Sequence, residues 1–439
     1  MPDHTDARGL CPADLDDFHG LMEFKRALAE QYPPDEAFAW YRELVGLSPS
    51  ARLVPKRIVG LREAARMPGN VYQELAPSGV PFEIAPPAIV GPGSMAAGAY
   101  TSRALFVAGI ANARVRSHSD LIEIDDSILL DAEPHELADV EDRLETAPPV
   151  FSVAGDTAMV VEDASDVLTM PEAFVSLLGA GSGAFGDWMW MYLPKYLSAI
   201  ASGALPHVPV LIDAGMPRQH RQALAFLLDD LAPVIEVRPH QVVALERAWC
   251  APTLCYFPLY ETIGPAYPHY TLCPPERYAA AFAIMRRAAA RTPDGTPARI
   301  YLARRKTGRH DLLNMEAVEA VLHARGFATI YPEDYDFAEQ ARIVGHAEYI
   351  IGPEGSGMYT SFFARPGTNY CSIYRIAGLD EEIALTSLLR SIGVDVTLLV
   401  GDVVSIPDPS RPNWIHYSIE LPFLESFLDG WLDERAATP

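Results

Sequence analysis

Positive charge is scarce in this chain. Its 439 residues carry 34 Lys and Arg against 58 Asp and Glu, a formal charge of -24, so unspecific attraction to nucleic acid or to anionic lipid is disfavoured. Cysteine is scarce too: Cys11, Cys250, Cys255, Cys273 and Cys371 are scattered, without the paired close spacing of a zinc site. Reduced, mostly buried thiols are the expected state. No apolar run is long enough for a transmembrane helix. The opening MPDHTDARGLCPADLDD is acidic and has no apolar stretch, so neither a secretory nor a transit signal is read there. The chain is expected in the cytoplasm, where any membrane-linked partner would be met at the cytoplasmic face.

What is present is enough for a large core. Apolar residues make up 49% and charged residues 21%, which argues against wholesale disorder. The length exceeds what one core usually organises, so two domains are expected, with a discontinuous arrangement also open. Against the acidic background the run Arg304, Arg305, Lys306, Arg309 stands out, because an anionic ligand would need such a local patch.

Residues 1 to about 75 read as a helical extension, with Leu21, Phe24 and Leu28 spaced three to four apart. A Pro-rich passage from Val80 to Gly93 breaks the period and leads to strand-like runs: RALFVAG, LIEIDDSILL from Leu121, and AMVVE from Ala158. The small-residue run GAGSGAFG from Gly179 then enters the aromatic helix DWMWMYLPKYLSAI, with Asp187 at or near its N-cap and Pro194 expected to kink or end its first part. From about 275 helices and strands alternate at the spacing of βαβ crossovers, which predicts a parallel sheet with ligands at its carboxyl edge. The boundaries drawn are 1–75 for the helical extension, 76–270 for a first α/β domain, 271–405 for a second, Rossmann-like one, and 406–439 for a tail and final helix, with packing back on the first domain left open as one arrangement.

Two features of the second domain bear chemistry. The first is IIGPEGSGMYTSFFARPG, three glycines between a β-branched strand and a helix. Such a turn allows close backbone approach, and the helix start offers unpaired N–H groups to an anion. Equally often, glycine turns of this kind are only structural. The second is RIYLARRKTGRHDLLN, where Arg304 follows a strand and Arg309 sits in the next loop. Guanidinium groups at a strand's carboxyl end can grip a diphosphate through paired hydrogen bonds, against the plain alternative of a solvated basic loop. Both features fall on one predicted sheet edge, which favours diphosphate binding.

Together these segments resemble glycosyltransferase family 61. The matching residues are IYLAR ending at Arg304, Arg309, Asn314, then Pro332, Glu333, Phe337, Glu339, Gln340 and Ala347, and finally GPEGSGMYTSFF. Upstream, the family's His-Trp-Leu-x-Glu-x-Leu-Pro-Arg run corresponds to Asp187, Trp188, Met189, Leu193, Pro194 and Lys195. The resemblance covers about residues 100 to 375. It implies an α/β, GT-B-like architecture: two Rossmann-like domains facing across a cleft, here with the added N-terminal helical segment. It also implies an inverting transfer of a hexosyl or pentosyl group from a nucleotide-sugar donor, with no cofactor and no obligatory metal. The acceptor is a glycan of the polysaccharide-biosynthesis kind, a lipid-linked precursor or a small molecule. At two positions the chain departs from the family: Asp187 stands where the upstream motif has His, and Glu354 replaces the His of the turn Gly-x-His-Gly-Ala-Gly, in which Ser356 also replaces Ala.

Glycosyl transfer needs a base for the acceptor hydroxyl and stabilisation of the leaving phosphate. Asp187 is the candidate base, with an ordinary N-cap as its alternative. Glu354 is a second candidate for the base, a contact to donor sugar hydroxyls, or a turn residue facing water. Arg304, Arg309, Asn314, Gly355, Ser356 and Gly357 are the candidate donor-binding residues. Glu333 joins them as a ribose ligand or stands apart as a solvated acid. His118, His310, His346 and His416 read as isolated, and Trp188, Trp190 and Tyr192 as core rather than sugar platform. Two other readings remain open: a non-catalytic nucleotide-sugar or glycan-binding protein, and another nucleotide-sugar enzyme such as an epimerase.

Overall fold

A computed structural model describes residues 7–11, 18–131, 144, 147, 149–163, 167–239, 241–255, 272–291, 295–376, 379–407 and 414–433. Two large mixed sheets carry the chain, one of 12 strands and one of 7. In the first, the strands Val167–Ser176, Val210–Asp213, Val234–Val237 and Val242–Cys250 run parallel, while the rest of the sheet is mainly an antiparallel meander. The second has the order 328–330, 299–302, 349–353, 369–375, 395–405, all parallel, closed by an antiparallel strand at 416–418. Helices 279–290, 315–323, 337–346 and 383–391 alternate with its strands. The helix Phe337–His346 starts from a capping box, in which Asp336 accepts from the Glu339 N–H and Glu339 answers the Asp336 N–H.

The amino-terminal part departs from the helical expectation. Helices occupy Phe18–Gln31 and Pro34–Leu44, but Arg52–Gly60 and Val71–Ala76 are strands of the first sheet. The sequence RLVPKRIVG hides its strand character because one inward position is charged. Lys56 is 2% exposed and lies 3.3 Å from Glu123 and 3.4 Å from Glu162. LIEIDDSILL, read as one strand, folds as a hairpin: Ile122–Ile124 pairs with Ser127–Leu130 across an Asp125–Asp126 turn.

The second sheet is discontinuous in sequence. Ala88–Val90 adds a parallel strand beside Asp395–Ser405, and Arg390 donates to the carbonyls of Ala85 and Pro86. The final helix Leu421–Asp433 packs on this second sheet, not on the first: Trp431 stacks with Phe327 and meets Tyr349 edge-on. One hydrophobic cluster runs unbroken from Trp188 and Leu197 of the first half to Phe282, Phe362 and Tyr370 of the second, so the halves share a core. Cys250, Cys255, Cys273 and Cys371 are buried free thiols. Among the described residues no helix is long and apolar enough to cross a membrane.

Candidate active site

At the carboxyl end of Val167–Ser176 the chain enters the small-residue run, and two acids hold it. Asp213, at the carboxyl end of its own strand and fully buried, accepts from the N–H of Gly179 at 3.0 Å, the hydroxyl of Ser182 at 2.5 Å and the N–H of His118 at 2.7 Å. Burial pushes its carboxyl up, and these donors oppose the shift. Asp120 accepts from the Tyr192 hydroxyl at 2.8 Å and the Ala180 N–H at 3.3 Å, and the Gly181 N–H donates to the Tyr192 oxygen at 3.2 Å. The Gly179 and Ala180 N–H groups are therefore turned inward onto carboxylates, and the Gly181 N–H onto a tyrosine hydroxyl.

Asp187 ends the short helical turn Phe185–Asp187. It caps nothing: Ala184 occupies the N-cap position, and Asp187 makes no side-chain cap bond to the segment that follows. Its half-buried carboxyl lies against Gly181, where a Cβ would come within 2.6 Å of Oδ2. Burial, and after it the Asp120 charge, push this carboxyl up to about 7. No hydrogen bond or ion pair to Asp187 is found among the described residues. The next five residues, Trp188–Tyr192, form a π-helical segment that passes into Leu193–Ala201. Pro194 sits in the first turn of that helix, where its missing N–H costs least, so the proline marks a change of helix type rather than an end. Trp188, Trp190 and Tyr192 are core residues. His220 stacks on Trp188 at 5.3 Å and is pushed down to about 4 by burial.

In the second half the equivalent turn is held by arginines. Arg304, just past the strand Arg299–Leu302, donates to the Glu354 carbonyl and to the Thr307 hydroxyl, each at 3.0 Å. It lies so close to Gly355 that a Cβ there would fall 2.9 Å from Nη1, and Gly355 has φ 144. Glycine at this point first of all admits the arginine. Gly352 is glycine for the sheet, because a Cβ would meet the Leu302 carbonyl oxygen at 2.6 Å. The segment after the turn, Ser356–Phe363, is a 3-10 helix rather than an α-helix, which weakens the expected dipole contribution to anion binding.

Glu354 is 4% exposed and paired with the equally buried Arg375, which ends the strand Asn369–Arg375. It does not face water. His310 approaches the same pair, with Nδ1 4.0 Å from Glu354 Oε1. Asp311 fastens the basic loop by accepting from the N–H groups of Thr307 at 2.9 Å and Gly308 at 2.8 Å. Arg309 stays exposed, its guanidinium 5.2 Å above the Trp414 ring. Arg305 is engaged by Glu333 and Asp334, so the Glu333 carboxylate already has a cation. Asn314 spends its amide on the backbone of Ile419, donating to the carbonyl at 2.7 Å and accepting from the N–H at 3.3 Å.

The two turns touch. A Cβ on Gly186 would meet Ser356 Oγ at 3.2 Å and Tyr359 at 3.5 Å. The Trp190 and Tyr359 rings lie 6.1 Å apart, and the Gln222 side chain accepts from the Phe337 N–H at 3.2 Å. Gly186, next to Asp187 in the chain, thereby meets the segment that follows the glycine turn of the other half, the turn held by Arg304 and the Glu354–Arg375 pair. Asn314 and Glu333 are held in other contacts. Sequence reasoning missed Asp120, Asp213, His310 and Arg375; VLID and NYCSIYR end on a charge at a carboxyl strand edge, which was the available signal for Asp213 and Arg375. A cavity of about 360 Å³ lies elsewhere, at the amino ends of Val167–Ser176 and Val242–Cys250, among Arg52, Arg114, Arg116, Glu123 and Glu162. It belongs to the opposite end of the first sheet from this chemistry.

Among solved structures, the chain is similar to the heptosyltransferase TibC, described as a dodecameric iron-containing enzyme in complex with ADP-D-beta-D-heptose. The match has 12% identity and a TM-score of 0.24, covering 51% of this chain and 62% of that one, and it carries no argument about fold or activity. No curated protein matches the chain. Residues 185–371 match the model of the family Glycosyltransferase 61. That span begins at the Asp187 turn and takes in Arg304, Arg309 and the glycine turn of the second half. Over residues 185–371 the chain is thus similar to the glycosyltransferase 61 family.

Proposed function

We propose that the chain is a glycosyltransferase that moves a hexosyl or pentosyl group from a nucleoside-diphosphate sugar to a glycan, lipid-linked or small-molecule acceptor. The observation that carries this reading is the contact of the Gly186 turn with Ser356, which joins an acidic turn to a basic one at the carboxyl edges of two sheets. In a GT-B-like arrangement, Arg304 and Arg309 grip the donor diphosphate and the backbone of Gly355, Ser356 and Gly357 lines it. Asp187 takes the proton from the acceptor hydroxyl. The acceptor oxygen attacks the anomeric carbon from the face opposite the leaving group, so the configuration inverts. The bond from that carbon to the phosphate oxygen breaks, and its electron pair stays on the diphosphate, where the guanidinium charges stabilise it. A carboxyl pushed up to about 7 suits a general base at neutral pH.

Glu354 has a different part in this scheme. Buried against Arg375, it positions the carbonyl that receives Arg304, and Asp187 alone serves as base. With arginines on the leaving group, transfer requires no metal. The test is incubation of the chain with a panel of nucleotide sugars and candidate acceptors, reading released nucleoside diphosphate and glycosylated product with and without EDTA. Product formation that survives EDTA is expected. Strict metal dependence would sink the metal-free scheme, and tight donor binding without any product would favour a binding protein on the same fold.

A further inference from the structure

We infer that His310 is a further ligand of the bound diphosphate, its imidazole meeting a phosphate oxygen between Arg304 and Arg309. The inference rests on the donor site proposed above. His310 belongs to the same loop as both arginines, and a quarter of its side chain is exposed, 25%. Its Nδ1 is buried with no hydrogen-bond partner among the described residues. The charged groups around the ring are Glu354 and Arg375 from the second sheet and Arg304, Arg309 and Asp311 from its own loop.

An imidazole placed for packing alone would be expected among apolar groups or fixed by a hydrogen bond. This one stands beside three guanidinium groups, its Nδ1 without a hydrogen bond and 4.0 Å from the Glu354 carboxylate. Burial, then Arg375, Arg304 and Arg309, push it down to about 3, with Asp311 opposing, so the ring is neutral among these groups. A diphosphate brings the opposite charge to the same place. It cancels the repulsion from the arginines, so the ring can take a proton from solvent and donate an N–H to the phosphate. The same proton lies where negative charge grows as the sugar departs.

Inorganic pyrophosphate is the probe, because it presents the diphosphate without a nucleoside or sugar. Titration calorimetry on the full chain at pH 6, in two buffers of different ionisation enthalpy, reads both affinity and proton uptake. His310→Gln is expected to bind about tenfold more weakly. It should also take up roughly one proton fewer per pyrophosphate than the wild type; the difference removes proton changes of pyrophosphate itself. His310→Asn gives the same comparison should Gln not be tolerated. A purely packing role would leave the proton count unchanged. If wild type and variant bind pyrophosphate with equal affinity and equal uptake, the His310 role is overturned while the diphosphate site stands. If the wild type binds no pyrophosphate, the diphosphate site itself fails, and His310 with it.

Discussion

The two glycine-rich turns that meet at Gly186 and Ser356 are alike in position and opposite in charge. Each follows the carboxyl end of a parallel strand. The first is tied down by Asp213 and Asp120, which take up backbone N–H groups and leave Asp187 with no cation beside it. The second is tied down by Arg304 and Arg375, which take up a carbonyl and a carboxylate. The same backbone solution thus yields a turn that raises a carboxyl's proton affinity on one side and, on the other, a basic turn that the proposed scheme gives to the donor diphosphate. Glycosyl transfer needs both, a proton acceptor and a stabilised leaving group, and needs them in contact.

The largest expected effect comes from removing the acidic side. Asp187→Asn keeps the shape but cannot accept a proton, so kcat is expected to fall on the order of 10²- to 10⁴-fold with the donor KM nearly unchanged. In the wild type, kcat should rise with pH through about 7, as the carboxyl loses its proton. Steady-state rates with donor and acceptor, across pH 5 to 9, check both statements. An Asn variant with wild-type turnover would remove Asp187 as base. On the basic side the matching change is Arg375→Met, which leaves Glu354 buried without its cation. Stability is expected to drop by about 3–5 kcal/mol. Urea unfolding followed by circular dichroism reads it, and an unchanged midpoint would mean the pair contributes nothing to holding the turn.

Arg304→Ala should act more on ligand than on fold. Its side chain is half exposed and gives hydrogen bonds to Glu354 and Thr307, so the loss removes a diphosphate contact and loosens the Gly355 turn. A donor Kd raised about 10- to 100-fold is expected, measured with the best nucleotide sugar of the panel. Unaltered affinity would break the contrast between the turns by making the second one merely structural.

The contrast was only partly legible in the sequence. The alternation of the second sheet was readable because each strand there is a short β-branched run and each helix an apolar stripe, both local patterns. Residues 52–60 were not, because Lys56 interrupts the alternation and its partners Glu123 and Glu162 lie far along the chain. The same holds within the site. Arg304, Gly355 and Asp187 were singled out from strand ends and motif order. The engagements of Glu354 with Arg375, Glu333 with Arg305 and Asn314 with Ile419 span 21, 28 and 105 residues, and nothing local announces them. His310 read as isolated for the same reason, since Glu354 and Arg375 come to it from other strands.

The smallest effect is the most specific to the acidic turn. Asp187 titrates near 7 in the folded chain, above the ~4 of an unfolded aspartate. Between those two values the folded state holds the proton that the unfolded state has released, so the stability of the wild type falls as pH rises through that window. Asp187→Asn removes this titration. The variant should therefore gain on the wild type between pH 5 and pH 8 by on the order of 1 kcal/mol, less than the full shift implies because the side chain is partly exposed. Urea unfolding of both proteins at the two pH values gives the difference. A difference that does not change with pH would mean that Asp187 ionises like a surface aspartate, and the first turn would lose the property that sets it apart from the second.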